Sequence, residues 1–367
     1  MRHESPDSLE QPWSSDGTIS RLTFTPELGL DGMIRNLRPA HPSTVHRESP
    51  SSLGQLDKLP TEILFLTFNL LDFRSLSRVL RLSLRGKSII ETLPVYQLIM
   101  RHAPALLSAL GQTRLIGLHS SQLILHTLRS DQCVSCFEFG GFIFLPTCER
   151  ICFTCLHENI AFWMISRPVA KKCFCLTEKQ LKAVPIMHSI PGSYSVGTPP
   201  ASRSRVYRLV SVKQAKQMAI ELHGSPEQVA SLSLIGASNG KDLSERLKFQ
   251  RFREISLEPP GLDLSRLPSK ENFGSDGFAG VASMRLPHLS DSGLDAGRLC
   301  YGCRVVYDDC VRGELPASVL SELVPSGISA YRPLKAMSTR LYSRGGFLEH
   351  VEHCYGAQRL LYSWTRK

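Results

Sequence analysis

The sequence predicts an α+β protein of more than one domain: a small three-helix bundle near the amino end, followed by a Cys-rich, zinc-stabilised α+β region. Three observations predict it. Apolar residues recur at three- and four-residue spacing over 55–130, CxxC motifs recur at 133–155 and 300–303, and stretches rich in Pro, Gly and Ser divide the chain. The 367 residues are 42% hydrophobic and 21% charged, with a net charge of +10, which is globular composition and excludes wholesale disorder. At roughly 150 residues per domain, this length suggests about two to three folded units.

Residues 1–54 contain 15 Ser or Pro and no sustained periodicity, and are expected to form a disordered tail. Helices follow over 55–100, with connecting helices over 101–130. The Cys-rich region covers 131–256 and is split by a break at Pro191–Ser204. Residues 257–297, with Pro259, Pro260, Gly261, Pro268, Gly274, Gly277, Gly280 and Gly293, read as a long flexible loop. The last piece, 298–367, begins with a CxxC and ends in an amphipathic helix.

No apolar run reaches the roughly 18 to 20 residues that span a bilayer. The opening MRHESPDSLEQPW lacks the apolar stretch of a secretory signal, so an intracellular protein is expected, in nucleus or cytoplasm. Eleven cysteines in a reducing compartment favour metal over disulfides.

In the first bundle, Pro60 suits the first helical position and Glu62 the positive end of the helix dipole. That helix should stop near Leu71. Asp72 then caps a second helix burying Phe73, Leu76, Val79 and Leu80, and Gly86-Lys87 breaks it before a third that carries Ile89, Ile90 and Leu93. So small a bundle has little core of its own and is expected to complete its burial on a partner.

The segment Leu56-Asp-Lys-Leu59-Pro60-Thr-Glu62-Ile63-Leu64, the Leu71-Asp72 pair and Leu76 resemble the F-box family over about 45 residues. The resemblance implies docking on a Skp-type adaptor, and through it on the cullin scaffold of a ubiquitin ligase. Leu56, Leu59, Pro60, Glu62, Ile63, Leu64, Leu71 and Leu76 would be its partner-binding residues, with Leu59, Pro60, Ile63 and Leu64 as the contact edge.

Cys133-Val-Ser-Cys136 and Cys152-Phe-Thr-Cys155 are separated by 15 residues, a spacing that lets two knuckles place four thiolates tetrahedrally around zinc. Between them, Phe-Glu-Phe-Gly140-Gly141-Phe-Ile-Phe reads as a hairpin that returns the second knuckle to the first. Cys148 could replace Cys152. A second zinc site is expected from Cys300, Cys303, His350 and Cys354, because residues four apart share a helical face, with His353 or Cys310 as substitutes. Cys173 and Cys175 read as packed thiols alternating along a strand. The segments Leu145–Cys152, Ile190–Tyr194 and Leu348–His350 with Cys354 are similar to the Cys-rich regions of fungal F-box proteins.

Residues 203–253 hold ten Lys or Arg against four Asp or Glu, a face for an acidic protein or for nucleic acid. Motifs for catalysis fail. Gly236–Asp242 is one residue short of a phosphate loop and ends in Asp, and Glu349–His353 has the wrong order for HExxH. The expectation is a non-catalytic receptor that brings an unnamed target protein to a ubiquitin ligase. The alternative is a zinc-dependent nucleic-acid-binding protein with a basic middle region.

Overall fold

The computed structural model describes residues 16–24, 52–194, 201–232, 243–259, 261 and 276–365. Most of the expected tail, the centre of the 191–204 break, much of the 257–297 loop and the Gly236–Asp242 motif lie outside the described residues. The chain forms two compact units, one from Met1–Pro26 with Gly297–Lys367 and one from Glu27–Ala296. No described helix is long and apolar enough to cross a membrane.

The first described segment, α1 (Asp16–Leu22) running into β1 (Thr23–Phe24), corrects the disordered-tail expectation. It folds into the smaller unit, where Leu22 is fully buried. Three apolar side chains, Ile19, Leu22 and Phe24, dock it there. So few leave no periodic signal in a Ser/Pro-rich stretch.

The larger unit opens with a 3-10 turn (Gly54–Lys58) and then α2 (Thr61–Asn69), α3 (Phe73–Leu82), α4 (Leu84–Thr92), α5 (Pro94–His102), α6 (Pro104–Gln112) and α7 (Ser121–Arg129). Pro60 sits one residue earlier than expected, at the N-cap of α2. Asp72 does cap α3: its carboxylate accepts from Ser75 N at 2.9 Å and from Ser75 Oγ at 2.8 Å. The next break falls at Ser83 rather than at Gly86-Lys87, because the Ser83 hydroxyl accepts from Gly86 N at 2.9 Å and starts α4. Gly86 is there for space: a Cβ would lie 2.9 Å from Val79 O.

Leu64, Phe68, Leu76, Ile89, Ile90 and Leu93 form a closed core between α2, α3 and α4. Each such side chain contributes about 1.5–3 kcal/mol when buried. Ser121 ties α7 to this bundle, its N donating to Leu71 O at 2.9 Å and its Oγ to Asn69 O at 2.8 Å.

Beyond the bundle come β2 (Phe142–Phe144), β3 (Glu149–Ile151), α8 (Phe153–Glu158), β4 (Met164–Ser166), α9 (Arg167–Phe174), α10 (Glu178–Leu181) and β5 (Met187–His188). These are followed by β6 (Gly192–Tyr194), β7 (Ala201–Arg203), β8 (Arg208–Ser211), α11 (Val212–His223), α12 (Pro226–Ala230) and α13 (Leu243–Glu254). The unit closes with β9 (Ser283–Arg285), β10 (His288–Ser290) and β11 (Gly293–Asp295). Two antiparallel three-stranded sheets run in the orders β3-β2-β9 and β4-β8-β5, while β6-β7 and β10-β11 are two-stranded.

Several expectations change here. The hairpin at Gly140-Gly141 does not form. β2 turns back through 145–148 onto β3 instead, with Phe142 opposite Ile151 and Phe144 opposite Glu149. All three residues of β2 are buried, as suits a central strand packed on both faces. Gly140 instead accommodates the Arg150 side chain, whose Cγ would lie 2.6 Å from a Cβ. The long loop is also overturned in its described part, since β9 pairs with β2 and β10 with β11. Cys173 lies on α9 and Cys175 is its left-handed C-cap, so neither is in a strand. On α11, Val212, Ala215 and Ala219 form the buried face and Leu222 is exposed.

The remainder of the smaller unit comprises β12 (Arg298–Cys300), α14 (Tyr301–Arg312), α15 (Ala317–Leu323), α16 (Tyr331–Ser338), β13 (Leu341–Tyr342), α17 (Arg344–His353) and α18 (Tyr355–Thr365). Its sheet has the order β1-β12-β13. Ile19, Leu22, Phe347, Val351 and Ala357 pack with Cys300, Cys303 and Cys354 in one apolar cluster.

Candidate metal centres

The first centre lies in the larger unit. After Gln132 the chain turns through Cys133–Cys136, with Phe137 N donating to Cys133 O at 2.9 Å and Ser135 N approaching Cys133 Sγ at 3.4 Å. Cys133 N donates to Glu138 O at 2.7 Å, and Val134 N to Arg150 O at 2.9 Å, which fastens this knuckle to β3. One residue past β3, Cys152 caps α8, its sulfur accepting from Cys155 N at 3.3 Å. N–H groups aimed at sulfur favour the thiolate that a metal needs.

The donor atoms of Cys133, Cys136, Cys152 and Cys155 all lie within 4.8 Å of one another, and the Cys136 and Cys152 sulfurs are 3.6 Å apart. A tetrahedral ion with metal–sulfur bonds of about 2.3 Å sets sulfur pairs about 3.8 Å apart. A disulfide would bring them to about 2.05 Å. All the described cysteines are free, so the spacing fits ligation. Hydrogen bonds from Cys136, Cys152 and Cys155 hold Cys133 far below the ordinary thiol range, while interaction with Cys133 drives Cys152 and Cys155 above it. A divalent ion among the four sulfurs would stabilise their thiolate forms.

Cys148 is the alternative the geometry leaves out. Its backbone is left-handed (φ 54°), its sulfur lies 3.6 Å from Thr127 Oγ1, and burial pushes its thiol up to about 11. It stands outside the ligand group.

The second centre belongs to the smaller unit, where Cys300, Cys303, His350 and Cys354 also have donor atoms within 4.8 Å of one another. Cys354 Sγ is 3.8 Å from Cys300 Sγ and 3.7 Å from Cys303 Sγ, and His350 Nε2 is 3.2 Å from Cys303 Sγ. Cys300 precedes α14 and Cys303 lies in its first turn. His350 is on the last turn of α17 and Cys354 is its C-cap, so the four-residue spacing works through a helix end. Tyr342 stacks on the imidazole of His350 at 4.2 Å and 18°. Hydrogen bonding with Cys303 lowers the Cys300 thiol, but Cys354 and burial outweigh it and push it up to about 12. Hydrogen bonds from Cys300 and Cys303 hold Cys354 well below the ordinary range. Cys310 packs in a separate apolar cluster around Val306, and neither it nor His353 joins the ligand group.

Two glycines bring this second site together. Gly302 follows the first ligand and Gly356 the fourth, in Cys300-Tyr-Gly and Cys354-Tyr-Gly, and a Cβ on either would overlap the backbone of the other segment. The repeated Cys-Tyr-Gly was the sequence signal for this packing, and sequence reasoning missed it.

Sequence reasoning also missed Arg150, which is 1% exposed and has five backbone acceptors. Its Nε donates to Thr127 O, Nη1 to Gly140 O and Leu286 O, and Nη2 to Leu128 O and Pro287 O, at 2.7–3.3 Å. Burial pulls its guanidinium down to about 10, so it stays charged at neutral pH against the carbonyls at the end of α7.

The partner-binding residues expected on the bundle divide. Leu56, Leu59, Pro60, Glu62 and Ile63 are exposed. Leu64 and Leu76 are 0% exposed, and Leu71 is half-buried against the same core, so these three face inward. The reason is helical spacing: the side of α2 that bears Leu64 and Phe68 is needed to close the bundle. Leu66 and Leu70, at 64% and 66% exposure, extend the outward line from Leu59 and Ile63 instead.

The basic middle stretch is partly internal. Lys216 donates to Arg253 O at 2.6 Å and also to Ile255 O, while Arg253 donates through Nε to Cys173 O at 2.6 Å and through Nη1 to Leu232 O. Glu245 pairs with Lys172. No protein-family model, curated protein or solved structure matches this chain.

Proposed function

We propose that this chain is a non-catalytic, F-box-type receptor that selects a target protein for a Skp- and cullin-based ubiquitin ligase, with two structural zinc ions maintaining its folded units. The observation that carries this reading is the apolar ridge of Leu59, Ile63, Leu66 and Leu70, exposed among the described residues on the outer side of a bundle that has its own buried core. Leu66 and Leu70 turn most of their surface to solvent and take little part in the packing of the bundle. Covering it with another protein would gain roughly 25 cal/mol per Å² of apolar surface removed from water.

The role of the protein is placement. Holding a target beside the ligase's conjugating enzyme raises its effective concentration there. Thiolate-rich sets of four donors suit zinc, and with all four positions supplied by protein no coordination site remains for substrate. Burial of Lys216 and Arg253 takes two cations out of the basic stretch on which the nucleic-acid alternative rests.

Capture by an immobilised Skp-type adaptor tests the reading. Wild type binds; Leu59→Ala with Pro60→Ala, and separately Leu66→Asp with Leu70→Asp, lose binding while keeping their unfolding midpoints. Equal capture of all three proteins sinks the receptor role.

A further inference from the structure

The ligands of the second metal centre all come from residues 300–354, yet the cluster that encloses them is completed from the opposite end of the sequence. Leu22, with no exposed surface, and Ile19 pack in the same apolar cluster as Cys300, Cys303 and Cys354. Next to them, Thr23 pairs with the ligand Cys300 and Phe24 with Leu299, and the Phe24 ring meets Tyr301 edge-on at 6.0 Å. The amino-terminal segment therefore covers a ligand-bearing strand without donating a ligand.

Among the described residues its hold consists of one strand pair of two residues and the buried side chains of Ile19 and Leu22. Elements joined to a fold by so few contacts open at lower free energy than the body they rest on. The four candidate ligands, the β12-β13 pairing and the Gly302–Gly356 contact all lie outside this segment. Undocking would expose one edge of β12 and one side of the thiolate cluster together.

We infer that residues 16–24 are a detachable strap over the second metal centre: docked, they slow exchange of its ion, and released, they open the thiolates to competing ligands. This rests on the metal reading of Cys300, Cys303, His350 and Cys354. The strap acts on the rate at which the ion leaves, and the ligand set decides whether an ion binds.

The test uses the full chain loaded with zinc, with zinc content measured by elemental analysis and release followed with an excess of a chromogenic chelator. Wild type, Leu22→Ala and Leu22→Asp should hold equal zinc. One of the two ions should leave Leu22→Asp at least tenfold faster than wild type, with Leu22→Ala between them and the other ion unchanged. An excess of a peptide spanning Ser14 to Pro26 should restore slow release to Leu22→Asp. Unchanged release from a fully loaded Leu22→Asp, or no restoration by the peptide, overturns the strap alone. Complete loss of the second ion from both variants overturns it too, because the segment would then belong to the fold of the centre. A wild type that binds no zinc through Cys300 and its partners overturns the metal reading first.

Discussion

Gly302 and Gly356 occupy each other's side-chain space: a Cβ on the first would overlap Gly356 and Ala357, and a Cβ on the second would overlap Gly302. Each lies two residues after a ligand cysteine, at the start of α14 and of α18. The close approach of these backbones places Cys300 and Cys303 beside Cys354. Gly302→Ala or Gly356→Ala should destabilise the smaller unit by about 1–3 kcal/mol or more, as overpacking does, and lower zinc content by one ion per chain. Thermal unfolding with elemental analysis reads both; Gly345→Ala, where a Cβ would meet nothing within 4 Å, is the control.

Each ligand set should be separately removable. Cys133→Ser and Cys300→Ser should each lose one metal ion, the first unfolding the middle of the larger unit and the second the carboxy-terminal helices. Because bound cysteines are thiolates, the loaded state carries fewer protons than the empty one, so affinity falls as pH falls. A titration from neutral to acid pH should release metal and lose near-ultraviolet dichroism together; full metal retention in a folded protein lacking both cysteines would contradict the ligand assignment.

Arg150 ties the end of α7, Gly140 and the approach to β10 together through their backbone carbonyls. Replacement with Met leaves these acceptors buried and unpaired, at a cost of about 3–5 kcal/mol, the range seen when one side of a buried charged network is removed. Lys keeps the charge but not the planar fork, and should recover less than half of the loss. Denaturant midpoints of the three proteins check this.

His119 provides a pH test in the larger unit. It is 6% exposed, and its Nε2 donates to Leu145 O at 2.8 Å. Burial lowers its pKa, with the Leu145 hydrogen bond opposing. The folded state therefore favours the neutral ring, so its contribution is complete above the unfolded value of about 6.5 and declines as pH falls below it. His119→Asn should show a flatter decline in denaturant midpoint between neutral pH and pH 5 than wild type; parallel slopes would rule out His119 as the titrating group.

The extent to which the sequence was legible followed the range of the forces involved. The eight residues of the two candidate metal groups could be read from it because a CxxC knuckle and a His-x-x-x-Cys at a helix end are set by backbone geometry within a few residues. The cap at Asp72 is equally local, its carboxylate accepting from the N–H three residues on. The same locality explains the failures. Gly140-Gly141 looked like a hairpin turn, but Arg150 fills that space with contacts reaching to Leu286, 136 residues away. β9 has three residues and no periodicity of its own; pairing with the buried β2 makes it a strand.

What the sequence determined by itself was which residues could bind metal and where the helix capped by Asp72 begins, since both depend on near neighbours along the chain. The tertiary structure decided that Leu64 and Leu76 face the core while Leu66 and Leu70 face out, and that residues 16–24 cross to the carboxy-terminal unit. Burial is the physical reason: an apolar residue is equally apolar on either side of a helix, and only the packing of distant segments determines which side loses its water.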